Sequence, residues 1–304
     1  MPFTGIVSFL RAPVCQEIDV LDADIAILGV PTDEGSPFMP GSRFGPRSIR
    51  EHSMRFVGDQ PGFYNPQTKR RYLADELGRN RLVDVGDADI LPTNVAGTFE
   101  NVTRMVHRVR GQGAMPVVLG GDHAISFPVV RGFDEDLHVV HFDAHLDYMP
   151  FVHGLEYTNQ HAFRQIRRLK QVLSLTQVGI RSIRTSQRMM DDTLGDGNRV
   201  VTMEEFRGAP DLVIAGLPSG APCYISIDID VLDLPLVPGC VSAEPEGMSY
   251  GELRSALFAI AGHMKVIGFD LVEVNPLLDV GTGVTSYLAA HTIVELLGRI
   301  RTGV

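Results

Sequence analysis

The chain contains no tryptophan, and only 7% of its 304 residues are aromatic. Its three cysteines, Cys15, Cys223 and Cys240, lie far apart and form neither a redox pair nor a metal-binding pair. So low and odd a count favours a reducing compartment, and a cytoplasmic location is expected. No uncharged apolar run approaches the roughly 18 residues of a membrane span. The opening stretch, MPFTGIVSFLRAPV, lacks the basic lead and the apolar length of a secretory signal. Basic residues are outnumbered 27 to 37, for a net charge of −10, which argues against a nucleic-acid surface. That balance suits a small cationic partner, although acidity also serves solubility alone.

What is present is enough apolar residue, 44%, to bury a substantial core. Short β-branched runs alternate with longer helical patterns. Strands are expected at Asp24–Val30, Leu82–Val85, Pro116–Leu119, Leu137–Asp143, Thr176–Ile180, Arg199–Thr202, Cys223–Asp230 and Val266–Leu271. Helices are expected at Asn94–Gly111, Tyr250–Gly262 and Ser286–Ile300. This alternation predicts an α/β fold, a parallel sheet with helices on both faces. Several runs are apolar on both sides of the pleat, as buried parallel strands are. No repeat, low-complexity tract or linker interrupts the pattern, so residues 1–304 read as one domain. Two long loops, Gly29–Pro46 and Tyr148–Asn159, stand at strand ends, where α/β proteins carry their sites.

Three polar clusters fall at the ends of predicted strands: Gly120-Gly121-Asp122-His123, Asp143-Ala144-His145-Leu146-Asp147, and Ser226-Ile227-Asp228-Ile229-Asp230. In extended backbone alternate residues share a face, so Asp143, His145 and Asp147 can converge, as can Asp228 and Asp230. The paired glycines permit a turn that aims His123 into the same crevice. An isolated Asp-X-Asp after a strand is usually a turn or a helix cap. Three such clusters at successive strand ends of one chain point instead to a metal centre. Four aspartates and two histidines exceed one ordinary site but suit two metals about 3.5–4 Å apart. Oxygen-rich ligation without cysteine favours Mn²⁺ over Zn²⁺. Two divalent ions cancel four aspartates, and a hydroxide leaves the site negative, which suits a guanidinium substrate.

On these residues the chain resembles the ureohydrolase family of arginases and agmatinases, and agmatinase most. The matches are GSRFGPRSIR at Gly41–Arg50, GGDHAIS at Gly120–Ser126, DAHLD at Asp143–Asp147, SIDIDVLD at Ser226–Asp233 and EVNP at Glu273–Pro276. The resemblance implies a three-layer α/β/α sandwich on an eight-stranded, mostly parallel sheet, two Mn²⁺ per chain and a homo-oligomer, trimer or hexamer. It makes His123, Asp143, Asp147 and Asp228 ligands of one ion and Asp143, His145, Asp228 and Asp230 ligands of the other. Glu273 corresponds to the family's guanidinium-binding carboxylate. Asp147 is expected to carry a proton from the attacking water to the leaving amine.

One position departs from the family pattern. Where many agmatinase-like members place a proton-shuttling histidine ahead of a phenylalanine, this chain has Asn159 ahead of Phe163. His161 is then the expected shuttle, with His153 and Asn159 as substrate-binding residues. The segment Tyr148–Gly154 is apolar and aromatic where arginases carry polar groups for an α-carboxylate, so agmatine is the expected substrate, cleaved to putrescine and urea in polyamine biosynthesis. Guanidinobutyrate and formiminoglutamate are the alternatives within the class. A single-zinc, deacetylase-like enzyme and a non-catalytic scaffold are the alternatives outside it.

Overall fold

The computed structural model describes residues 5–58 and 60–302. Eight strands form one sheet: β1 (Ile25–Val30), β2 (Leu82–Asp87), β3 (Met115–Gly120), β4 (Leu137–Phe142), β5 (Val172–Ile180), β6 (Arg199–Thr202), β7 (Pro222–Asp228) and β8 (Lys265–Val272). Their spatial order is β2-β1-β3-β8-β7-β4-β5-β6, and every neighbouring pair is parallel. All eight predicted runs are in it. A two-stranded antiparallel hairpin, Phe63–Asn65 with Arg70–Tyr72, was not expected from the sequence. Its strands are too short and too polar to show an alternation.

The strands divide the interior by their period of two. Ile25, Ile27, Val117, Leu119, Val140, Phe142, Phe269 and Leu271 point into one core. Ala26, Leu28, Val30, Val118, Val139 and Val272 point into the other. Helices Gly45–Ser53, Tyr250–His263 and Val284–Thr302 supply the first core with Ile49, Leu253, Ile260, Ile293 and Leu297. Helices Val95–Gly111, Ser126–Arg131 and Ala162–Arg167 supply the second with Val102, Val106, Val129 and Phe163. The layers are therefore α/β/α. Among the described residues no helix is long and apolar enough to cross a membrane.

Local chemistry sets the helix starts. Asn94 accepts from Gly97 N at 2.9 Å. Ser249 and Glu252 exchange bonds in a capping box at the head of Tyr250–His263. At the sheet edge, Arg50 from helix Gly45–Ser53 is 6% exposed and forks onto Asp84 of β2, with Nε–Oδ2 2.8 Å and Nη2–Oδ1 3.0 Å. Its other nitrogen reaches Asp87 at 2.6 Å. Asp84 also accepts Phe9 N at 2.9 Å, so one ion pair joins the N-terminal segment, a helix and an edge strand.

Removing one member of a buried pair strands the other charge, at a cost of about 3–5 kcal/mol. Arg50→Ala is expected to lose about that much stability in urea titration. Arg50→Lys should recover only part of it, because an ammonium cannot reproduce the fork. A loss within 0.5 kcal/mol for Arg50→Ala would show that the pair does not hold this edge.

Candidate metal centre and substrate cavity

Four adjacent strands, β3, β8, β7 and β4, deliver their carboxyl ends to one place. Beyond β3 comes His123, beyond β8 Glu273, at the end of β7 Asp228, and beyond β4 Asp143. Close packing, rather than a left-handed turn, explains the glycines after β3. A Cβ on Gly121 would stand 1.8 Å from Thr32 O, and one on Gly120 would stand 2.4 Å from Val272 Cγ1. Neither glycine has a positive φ. Asp122 N donates to Thr32 O at 2.9 Å, and the Asp122 side chain caps the single turn His123–Ile125. The tight approach lowers His123 into the crevice.

The expected convergence occurs, by a different route from pleat alternation. Strand β4 stops at Phe142, and Asp143–Asp147 is turn, with Asp147 left-handed at φ +46°. Likewise Asp228 ends β7 while Asp230 lies in the turn Ile229–Val231, its N–H donating to Asp228 Oδ1 at 2.8 Å. Chain reversal brings these carboxylates together where a continued strand would have carried them apart.

Six predicted ligands meet there. His123 Nδ1 lies 3.0 Å from Asp143 Oδ2, 3.2 Å from Asp147 Oδ2 and 3.1 Å from Asp228 Oδ2. His145 Nδ1 lies 3.2 Å from Asp143 Oδ1 and 3.1 Å from Asp230 Oδ2. Asp143 thus turns one oxygen to each histidine, the arrangement of a bridging carboxylate. One imidazole N–H cannot serve three carboxylates, so each histidine faces more anionic oxygen than a proton satisfies. A divalent cation fits that donor set. His123, His141 and Asp143, and separately Asp143, His145 and Asp230, hold ligand atoms within 4.8 Å of one another.

A supporting layer escaped the sequence reading. Ser226 Oγ donates to Asp270 Oδ1 at 2.7 Å, so it accepts from His123 Nε2–H at 2.9 Å, leaving Nδ1 for a metal. Tyr224 hydroxyl donates to the other Asp270 oxygen at 2.6 Å. Gln177 Nε2 donates to His141 Nδ1 at 2.9 Å, so His141 Nε2–H donates to Asp143 Oδ2 at 2.7 Å. His141 is therefore a support of Asp143 rather than a ligand. Two of these residues had a signal: Ser226 and His141 each stand two places before a ligand, on the same strand face. Asp270 is a lone charge inside the apolar run KVIGFDLV.

The electrostatics follow from crowding. Burial and the neighbours Asp230 and Asp143 push Asp228 well above the ordinary carboxylate range. Burial, then Asp143, raises Asp147 to about 6. Burial raises Glu273 to about 7. Burial opposes ionisation of Asp143 too, but attraction to His141 and bonds from His123, His141 and His145 hold it well below its usual range. Burial lowers His145, yet Asp230 and Asp143 outweigh it and raise the ring to about 12. Burial takes His141 down to about 4 and keeps it neutral.

A cavity of about 140 Å³ opens onto this centre, lined by His145, Asp147, Asn159, Glu273, Ser36, Pro37, Phe38, Gln160, Arg184, Val241 and Ser242. Glu273, left-handed at φ +64°, accepts from His123 N at 2.9 Å and from Asn159 Nδ2 at 3.4 Å. Ser42 Oγ donates to its other oxygen at 3.3 Å. Asn159 and Glu273 are thus together at the cavity, as expected. His161 and His153 are not among its walls. His161 is 2% exposed, its Nδ1 bonded to Thr158 Oγ1 at 2.6 Å and its ring stacked on Phe151. His153 is exposed, at the tip of the loop. Tyr148–Gly154 does not line the cavity either, so the ground for expecting agmatine is missing: Tyr148 is fully buried and bonds Asp196. Arg184, which carried no sequence signal, does line it.

The chain and its fold have counterparts among known proteins. The chain is 32% identical to proclavaminate amidinohydrolase of Streptomyces clavuligerus, over 97% of this chain and 93% of that one. It is 31% identical to agmatinase of Pyrococcus horikoshii, over 85% and 86%. The solved structure of the Streptomyces amidinohydrolase superposes with a TM-score of 0.87 at 30% identity, covering 100% of both chains. The arginase family profile matches residues 23–298, and this chain belongs to the arginase family.

Proposed function

We propose that the protein is a binuclear manganese amidinohydrolase that releases urea from a small linear guanidino compound. The observation that carries this reading is the pair of histidine Nδ1 atoms, of buried His123 and half-buried His145, each set against carboxylate oxygens and joined through Asp143. His123, Asp143, Asp147 and Asp228 would hold one ion, and Asp143, His145, Asp228 and Asp230 the other. Bound there, the ions supply Lewis acidity and make a water acidic enough to attack near neutral pH.

The remaining work belongs to the chain. Glu273 and Asn159 stand at the cavity wall to receive the planar N–H groups of a guanidinium, and the strained backbone of Glu273 presents the carboxylate inward. Holding the central carbon in line with the attacking water removes much of the entropic cost of the encounter. Asp147, at the cavity wall, would take the water's proton and pass it to the departing amine. The cavity is far smaller than the roughly 300–1,000 Å³ of sites for drug-sized ligands, as a short substrate requires. Agmatine, the reading carried by the resemblance to agmatinases, would need a mouth that tolerates a second cationic end.

Manganese-loaded protein is expected to release urea from at least one of agmatine, arginine and 4-guanidinobutyrate. Release from none would overturn the reading. Asp228→Asn should abolish turnover and lower bound manganese below two per chain, since a donor to both ions loses its charge. Normal turnover in that variant would be incompatible with a bimetallic centre.

The pKa shifts set a further expectation for protein stripped of metal by a chelator. Above pH 6.5 the unfolded histidines are neutral, whereas folded His145 keeps its proton to about 12 and Glu273 to about 7. The folded state then binds more protons than the unfolded one, so stability must fall as pH rises. The melting temperature of the stripped protein should drop between pH 6.5 and 8.5. Manganese affinity should rise across the same window, because the ions displace those protons. A flat or rising melting curve would contradict the site's charge balance.

A further inference from the structure

The cavity lining carries both signs of charge. Asp147 and Glu273, with Asn159, belong to it, and so does Arg184 with Ser242, while Pro37, Phe38 and Val241 supply apolar wall. Arg184 is the only lysine or arginine in this lining. Resting on the amidinohydrolase reading, we propose that the substrate is an ω-guanidino acid and that Arg184 binds its carboxylate.

The guanidinium is anchored through two of its nitrogens, and the third is left over. Arg184 Nε donates to Glu244 Oε1 at 2.9 Å, and Nη2 donates to Ser242 O at 3.1 Å and approaches His145 Nε2 at 2.7 Å. Its Nη1 makes no hydrogen bond among the described residues, and the side chain is 59% exposed. Glu244 is clamped in turn by Ser182 Oγ at 2.7 Å, just past the end of β5, so the fork has a fixed base. Nε and Nη2 are engaged, so Nη1 is the nitrogen left to donate, and a charge-assisted bond from it suits a carboxylate oxygen.

The two kinds of charge in the lining therefore select opposite groups of one molecule. A guanidinium goes to Glu273, methylenes lie along Pro37, Phe38 and Val241, and a carboxylate meets Arg184. Contact between Arg184 and His145 keeps the two ends close, so the spacer is short. Agmatine would bring an ammonium against a guanidinium at the same mouth, where like charges repel in a partly dry site. Glu244, the acid beside Arg184, is not part of the lining and offers that ammonium no direct partner.

The test compares kcat/KM for 4-guanidinobutyrate and agmatine in manganese-loaded wild-type protein, Arg184→Gln, Arg184→Glu and Arg184→Lys, with metal content measured throughout. The wild type is expected to favour the acid. Arg184→Gln should cut kcat/KM for the acid about 10- to 100-fold, the worth of a charge-assisted bond, and chiefly through KM. Its agmatine rate should hold or rise. Arg184→Glu should reverse the preference, and Arg184→Lys, which keeps the charge without the fork, should lie between. Two manganese ions per chain in every variant would show that the centre is intact. Wild-type preference for agmatine would overturn the assignment while leaving amidinohydrolase chemistry standing. So would an unchanged ratio in both Arg184→Gln and Arg184→Glu. Absence of urea from both substrates and from arginine would remove the chemistry itself.

Discussion

Five acidic residues, Asp143, Asp147, Asp228, Asp230 and Glu273, share a crevice a few ångströms across, and each residue is less than a tenth exposed. Left alone, that much buried negative charge opposes folding. Two imidazoles answer part of it, and His123 faces three of the carboxylates at once. Protons strike the balance in the absence of metal, and divalent cations at the same donor set would replace them. Both the stability of this edge of the sheet and its chemistry depend on that compensation.

The scaffold is built to make the crowding tolerable. Buried backbone and side chains immobilise each ligand: Ser226 and Asp270 fix the His123 ring, and Gln177 fixes His141, which in turn holds Asp143. Asp147 and Glu273 occupy left-handed backbone that most side chains avoid, and both line the cavity. Gly121 lies against Thr32 with no room for a methyl group, bringing the loop after β1 under the turn that carries His123. Strain and close packing at the carboxyl edge are sustained by the two apolar cores on either side of the sheet.

Both signs of charge line the cavity, with Asp147 and Glu273 as acidic residues and Arg184 as the one lysine or arginine. Arg184 and Glu273 are 89 positions apart in the chain and come from loops after different strands. No local pattern joins them.

Much of this was legible in the amino-acid order. Eight apolar runs declared the parallel sheet because buried strands must be hydrophobic on both faces. The convergence of His123, Asp143, His145, Asp147, Asp228 and Asp230 was declared by their clusters at strand ends, because the carboxyl ends of a parallel sheet lie along one edge. Other features belong to the tertiary structure. Whether a loop histidine faces the cavity depends on packing: His161 is stacked on Phe151 beneath its loop, His153 is at the exposed tip, and Asn159, two residues from His161, is at the wall. The same holds for Tyr148–Gly154, of which Tyr148 is buried and none is among the residues lining the cavity. Strand-end motifs are local, so a linear chain displays them. A cavity wall gathers side chains from distant loops, and only the folded backbone brings them face to face.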